Sequence, residues 1–248
     1  MFRPELLAIT FKVEEPRYNE TVKFHSLMCT NNEIVPNLFL GNSEHGNAVT
    51  RKLLVDKMKS DTVVIRCTTN PFTTDEKENA EFIRQLAALP NHFLYVGIGD
   101  AAGNKIDDKF PAALAFIEEA FAKQKKVLLH CDAGASRSAA FVVAYLIWKY
   151  QLTFRQAYHH VCNQRPCVNV DNFREQLKTF STNCMRGNWD QYKAKFIENL
   201  TQSMRENPSE LRKQHLKDLI SAIVKAQCID EVIQALMVCA QAIRDDRV

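Results

Sequence analysis

Apolar and polar positions change rhythm several times along the chain. Three compact apolar runs, TVVIRC (62–67), HFLYVGI (92–98) and KVLLH (126–130), have the composition and length of buried strands. The segment between the first two, TTDEKENAEFIRQLAALP, has helical spacing. Thr73 and Thr74 stand as candidate N-caps, Ile83, Leu86 and Ala87 fall on one face, and Pro90 marks the stop. FPAALAFIEEAFAKQKK (110–126) predicts a second helix, with Pro111 in its first turn, Leu114, Ile117 and Phe121 at helical spacing, and lysines in its last turn. Strand, helix, strand, helix, strand is the order of an α/β domain whose sheet is covered by helices. SAAFVVAYLIWKYQ (138–151) is apolar almost all round, as a helix at the centre of a domain must be. TFRQAYHHVCNQRP (153–166) and NVDNFREQLKTFSTNC (169–184) predict two more helices, with Thr153 and Asp171 as candidate caps.

Beyond Gly187 the pattern is helical only. Trp189, Tyr192, Phe196, Leu200 and Met204 form one stripe, a second helical segment opens with Pro208, and a third has Asp230 near its start. The chain therefore divides into an N-terminal segment (1–29), an α/β domain (30–182) and an all-helical C-terminal extension (183–248), which either packs on the core or docks a partner.

Length agrees with this division: 248 residues accommodate a domain of about 150 plus an appendage. A formal net charge of +3 is too small to argue for nucleic acid. The longest apolar stretch, Ala139 to Trp148, is too short to span a bilayer, and the N-terminus lacks the order of a secretory signal. The eight cysteines contain no CxxC pair, which argues against zinc and for reduced thiols in a cytoplasmic protein.

Candidate chemistry concentrates in HCDAGASRS (130–138), between the third strand and the central helix. A strand–loop–helix junction aims backbone N–H groups and the positive end of a helix at one point, which is an anion site. Gly134 is one of only seven glycines and marks a turn that a β-carbon would block. Arg137 can grip two oxygens of a phosphoryl group. Cys131 at the base of such a cradle is expected to ionise below its free value and act as a nucleophile, with Ser138 donating to its sulfur. Cys131 alone would read as a buried core thiol; the accompanying Gly134, Arg137 and Ser138 are what point to chemistry.

HCDAGASRS resembles the HCxxGxxRS signature of the cysteine-based protein tyrosine phosphatase superfamily, in the form found in dual-specificity phosphatases. IVPNLFLGN (34–42) is similar to the family's opening strand and turn. Residues 144–177 are similar to the stretch after its loop, including Arg165–Pro166, Asn172–Phe173 and Gln176–Leu177. The resemblance covers roughly 30–182. It implies a central mixed β-sheet flanked by helices and a phosphoprotein substrate carrying phosphotyrosine, with phosphoserine or phosphothreonine also open. It implies no metal or other cofactor; the charge balance and the short apolar stretch already argue against a nucleic-acid or membrane partner. Cys131 is implied as nucleophile, Arg137 and the amides of Asp132, Ala133, Gly134, Ala135 and Ser136 as phosphate ligands, and His130 as the residue that orients the loop. The general acid is implied to be an upstream Asp. Asp100, 31 residues before Cys131, fits that layout, with Asp107 and Asp108 as competitors that can equally cap the next helix.

Two departures carry information. Asp132 puts a negative charge beside the nucleophile; pointing outward, it would instead bias the rim against acidic substrates. The inositide-specific relatives carry lysines in this loop, and this loop has no cation besides Arg137. A catalytically silent phosphate-binding module, and a phosphatase acting on an inositide or an RNA 5′-phosphate, are the competing readings.

Overall fold

The computed structural model describes residues 32–56, 60–72, 75–89, 92–186, 197–198, 201, 210–226, 231–236 and 238–239. Among the described residues five strands form one sheet: β1 (Asn32–Val35), β2 (Leu38–Gly41), β3 (Thr62–Thr68), β4 (Phe93–Ile98) and β5 (Lys126–His130), in the order β1-β2-β5-β3-β4. β1 pairs antiparallel with β2, and every other pairing is parallel. The sheet is thus mixed, with an antiparallel strand at one edge. Its helices are α1 (Ser43–Asp56), α2 (Glu76–Ala87), α3 (Phe110–Ala122), α4 (Arg137–Tyr150), α5 (Phe154–Gln164), α6 (Arg174–Arg186) and α7 (Glu210–Lys225). No helix among the described residues is long and apolar enough to cross a membrane.

The apolar runs become the central strands for a physical reason. β3 and β5 lie side by side with helices on both faces, so neither face can be polar. Val63, Val64, Ile65, Val127 and Leu129 are completely buried. β4, at the edge, is only partly covered, and Tyr95 is exposed. Helix α4 is buried from Arg137 to Trp148, as its apolar circumference requires. It ends where Gln151 adopts a left-handed conformation.

Several local expectations shift. Thr73 and Thr74 lie outside the described residues, and the cap of α2 is Asp75, whose carboxylate accepts from the Glu78 N–H at 2.8 Å. Leu86 is buried, but Ile83 is 48% exposed, so the apolar face of α2 is narrower than the spacing implied. Helix α3 stops at Ala122, which leaves Lys125 and Lys126 beyond its last turn. Thr153 caps α5 in a reciprocal capping box with Gln156. Asp171 does not cap: it sits inside a 3₁₀ turn (Asp171–Phe173) and pairs with Arg174.

The main core joins both faces of the sheet to α3, α4, α5 and α6. Ile233 from the C-terminal region is buried in that core, while Leu219, Ile223, Ala226, Val232 and Cys239 form a smaller apolar cluster. The described part of the extension is helical, as the periodicity predicts. The stripe residues Trp189, Tyr192, Phe196, Leu200 and Met204, and the openers Pro208 and Asp230, lie outside the described residues.

Candidate active site

The four parallel strands end on one edge of the sheet, and the loops leaving that edge meet around Cys131. Such carboxyl ends are where open α/β sheets bind ligands. Cys131 follows β5 directly and is 1% exposed. The Ser138 hydroxyl, from the first turn of α4, donates to its sulfur at 3.2 Å.

The loop between them is held from outside through its carbonyls. The oxygen of Asp132 accepts from the Ser43 N–H at 2.9 Å, and that of Ala135 from the Asn169 N–H at 2.8 Å. Arg165, fully buried, donates from Nε to the Gly134 oxygen at 2.7 Å and from Nη2 to the Ala133 oxygen at 3.1 Å. In a planar trans peptide the C=O and the following N–H point in opposite directions. Four consecutive outward carbonyls therefore turn the amides of Ala133, Gly134, Ala135 and Ser136 to the inner side of the loop. Successive amides turned to one side of a loop form a concavity that can bind an anion. Gly134 has φ +64°, and a β-carbon there would run into the Gly41 carbonyl and the Arg165 guanidinium.

Arg137 opens α4 and is 6% exposed. Its Nη1 donates to Thr68 Oγ1 at 3.2 Å and to the Ile98 carbonyl at 3.3 Å, so the ends of β3 and β4 orient the guanidinium. Its other edge faces two carboxylates. Nη2 donates to Asp132 Oδ2 at 2.6 Å, and Nε lies 3.5 Å from Asp100 Oδ2. Asp132 therefore points along the loop to Arg137 rather than freely out of it. Asn70 Nδ2 also donates to Asp132 Oδ2, at 2.8 Å. Burial alone would push the Asp132 carboxyl up; hydrogen bonds from Thr68, Arg137 and Asn70, with the Arg137 charge, hold it below the usual carboxylate range.

Asp100 lies just beyond β4, and its Oδ1 accepts from Ser136 Oγ at 2.7 Å and from Asn172 Nδ2 at 3.0 Å. Its loop is pinned below by Gln176, which accepts from the Ile106 N–H at 2.8 Å and donates to the Asn104 oxygen at 2.9 Å. The competitors sit elsewhere. Asp107 and Asp108 form the 3₁₀ turn leading into α3, and Asp107 Oδ1 accepts from the Asp108 N–H at 3.1 Å. Burial first, and Asp108 second, raise the Asp107 carboxyl.

His130 is completely buried beneath the loop, with Gly46 so close that any β-carbon there would overlap the imidazole. Burial, reinforced by the Arg66 charge, pulls the imidazole down to about 4, so it is neutral at physiological pH. Arg66 is itself buried in β3; it donates to Asn47 Oδ1 at 2.7 Å and to the Asn70 carbonyl, and stacks on Phe72 at 3.7 Å. The predicted residues Cys131, Arg137, Ser138, Asp100 and the 132–136 loop thus come together. Of the residues that hold them, Arg165 and Asn172 stand in the sequence only as part of the resemblance, with no role read for them, and Arg66 and Asn70 carry no chemistry signal of their own. The nearest to one is an arginine inside the otherwise apolar TVVIRC run.

Known proteins similar to this chain point to one family. The human serine/threonine/tyrosine-interacting protein is 33% identical over 149 residues, covering 60% of this chain and 63% of that one. The chain thus spans less than two thirds of such a relative. Human dual specificity protein phosphatase 7 is 38% identical over 101 residues, 37% of this chain and 24% of that one. Drosophila melanogaster protein phosphatase Slingshot is 45% identical over 76 residues, 30% of this chain and 7% of its own. Among solved structures, a variant of human DUSP28 superposes with a TM-score of 0.50 at 21% identity, covering 64% of this chain and 98% of that one, a likeness of fold. The family model described as the dual specificity phosphatase catalytic domain matches residues 55–183, just over half of the chain, and the chain belongs to that family.

Proposed function

We propose that this chain is a phosphoprotein phosphatase that hydrolyses phosphotyrosine, and phosphoserine or phosphothreonine, through a phosphocysteine on Cys131. The catalytic unit is residues 30–182, and the compartment is the cytoplasm. The observation that carries the reading is that the loop from Cys131 to Arg137 gathers these groups: Ser138 donates to the Cys131 sulfur, Asp100 accepts from Ser136, and Asp100 lies 3.5 Å from the Arg137 guanidinium.

The cycle has two displacements. Cys131 Sγ attacks phosphorus, forming the S–P bond as the P–O bond to the side chain breaks, and Asp100 gives its proton to the departing oxygen. Arg137 and the amides of 133–136 hold the equatorial oxygens and their growing charge. Water then attacks phosphorus, its proton passes to Asp100, and the S–P bond breaks. Ser138 donates to the sulfur as it leaves, and inorganic phosphate is released. Neutral, buried His130 acts on the shape of the loop rather than as a proton carrier.

The test is turnover of p-nitrophenyl phosphate and a phosphopeptide panel. Cys131→Ser abolishes activity, Asp100→Ala lowers it by roughly 10²–10³-fold, and Asp107→Ala and Asp108→Ala stay near wild type. A wild type that binds phosphopeptide without turnover overturns this reading in favour of a silent phosphate-binding module. Two observations favour that second reading: a human relative bears the name of an interacting protein, and the free edge of Arg137 faces carboxylates.

A further inference from the structure

A guanidinium binds two oxygens of one phosphoryl group best through its Nε and Nη2, which present parallel N–H bonds. Arg137 commits Nη1 to Thr68 and to the Ile98 carbonyl, so the Nε–Nη2 edge is what remains for a ligand. In this structure that edge meets Asp132 Oδ2 at Nη2, 2.6 Å away, and Asp100 Oδ2 at Nε, 3.5 Å away. Asp100 lies on a separate loop and is required elsewhere, at the leaving oxygen. Asp132 is part of the phosphate loop itself, and its side chain has no role in the chemical cycle.

We propose that Asp132 is a built-in occupant of the oxyanion position, and that phosphate binds only by taking its place at Nη2 of Arg137. This rests on the assignment of the loop as the phosphate site. The carboxylate is held for that purpose by groups that have no part in phosphate binding. Asn70 donates to the same oxygen at 2.8 Å, and the Asn70 backbone is tied to Arg66 through its carbonyl. Side-chain exposure of Asp132 is 35%, so it has room to turn toward solvent when displaced. A phosphate monoester must exchange one charge-assisted hydrogen bond for another rather than gain one outright. Asp132 thereby sets how strongly the loop holds any oxyanion, and it does so before the first bond is broken.

Inorganic phosphate is the probe, titrated calorimetrically into full-length Cys131→Ser protein, so that binding is read without turnover. Asp132→Asn, which keeps the shape and removes the charge, and Asp132→Ala, which removes both, are made in that background. Phosphate should bind about tenfold more tightly to either, the size of one charge-assisted hydrogen bond released from competition. Unchanged or weaker binding in variants that melt like their parent overturns the proposal. A second measurement needs no substitution at 132. In the Cys131→Ser protein, phosphate should shift the NMR signal of the Asn70 side-chain amide, and an unmoved signal overturns the proposal as well. Turnover of p-nitrophenyl phosphate by the wild type, measured alongside, bears on the hydrolase reading alone. Tighter binding without turnover keeps Asp132 in this role on a silent module, whereas turnover with unchanged binding keeps the enzyme and removes the role.

Discussion

Asn172 donates a hydrogen bond from Nδ2 to Oδ1 of Asp100 across 3.0 Å, tying the turn before α6 to the loop after β4. The two residues are 72 positions apart, and the same oxygen also accepts from Ser136 in the phosphate loop. The carboxyl of the proposed general acid is therefore positioned by side chains from two other elements, above a loop that Gln176 pins.

This coupling predicts a substrate-dependent defect. Asn172→Ala leaves Cys131 and Arg137 untouched and loosens only the acid. The rate on phosphotyrosine or phosphothreonine peptides, whose leaving oxygens need a proton, should fall by about tenfold, a fraction of the full contribution of a general acid. The rate on p-nitrophenyl phosphate, whose phenolate leaves easily, should fall much less. Equal losses on both substrates would place Asn172 in folding or binding instead.

The shape of the phosphate loop depends on one backbone conformation. Gly134 is left-handed, and the space where a β-carbon would lie is taken by the Gly41 carbonyl and the Arg165 side chain. Gly134→Ala should cost at least about 2 kcal/mol in urea-monitored stability, combining left-handed strain with the displacement of β2 or Arg165. It should also abolish phosphate binding in the Cys131→Ser background. A variant that keeps both properties would mean that the loop tolerates a different turn.

Arg165 makes a parallel prediction from outside the loop. It is a buried cation whose Nε and Nη2 bind two successive loop carbonyls. Arg165→Met keeps much of the volume and leaves the Gly134 and Ala133 oxygens without those donors. Stability should drop by about 3 kcal/mol, and the amides behind those carbonyls should lose their common direction. Phosphate affinity is the measurement: a variant that folds and binds phosphate like its parent would show that the loop holds its own shape.

What was legible in the sequence follows from where the physics is local. β5, the loop and α4 are contiguous, so HCDAGASRS carries its own geometry, and the continuous apolar runs identify β3 and β5 because strands covered on both faces permit nothing polar. Asp100 was legible only through its spacing in a resemblance. The supports are different in kind. Asn70, Arg165 and Asn172 lie 62, 31 and 72 positions from the groups they hold, and nothing in their neighbours along the chain reveals those partners. Asp132 shows the same limit: its charge is visible in the sequence, but its attachment to Arg137 requires the curl of the loop. The misplaced cap of α2 and the exposed Ile83 have a simpler origin, since Asp75 is closer to the helix start than either threonine and tertiary cover narrows the apolar face.

The last prediction concerns acid. His130 is held neutral by burial and by Arg66, with its pKa lowered to about 4 from an ordinary value of 6.5. Above pH 6.5 the imidazole is neutral in both the folded and unfolded chains and contributes nothing to pH dependence. Between about 6.5 and 4 the unfolded chain takes up a proton that the folded chain refuses, so stability falls as pH falls. Below about 4 both forms are protonated and this contribution levels off. Over the full window it amounts to about 3 kcal/mol, at roughly 1.4 kcal/mol for each unit between the two values. Urea unfolding at intervals from pH 7.5 to 4.5 should show the wild type losing about 2 to 3 kcal/mol more than His130→Asn, which lacks the titrating ring. Carboxylates titrate in both proteins and cancel in the comparison. If the two curves run parallel, the imidazole titrates in the folded chain as it does in the unfolded one, and burial with the Arg66 charge does not hold it neutral in acid.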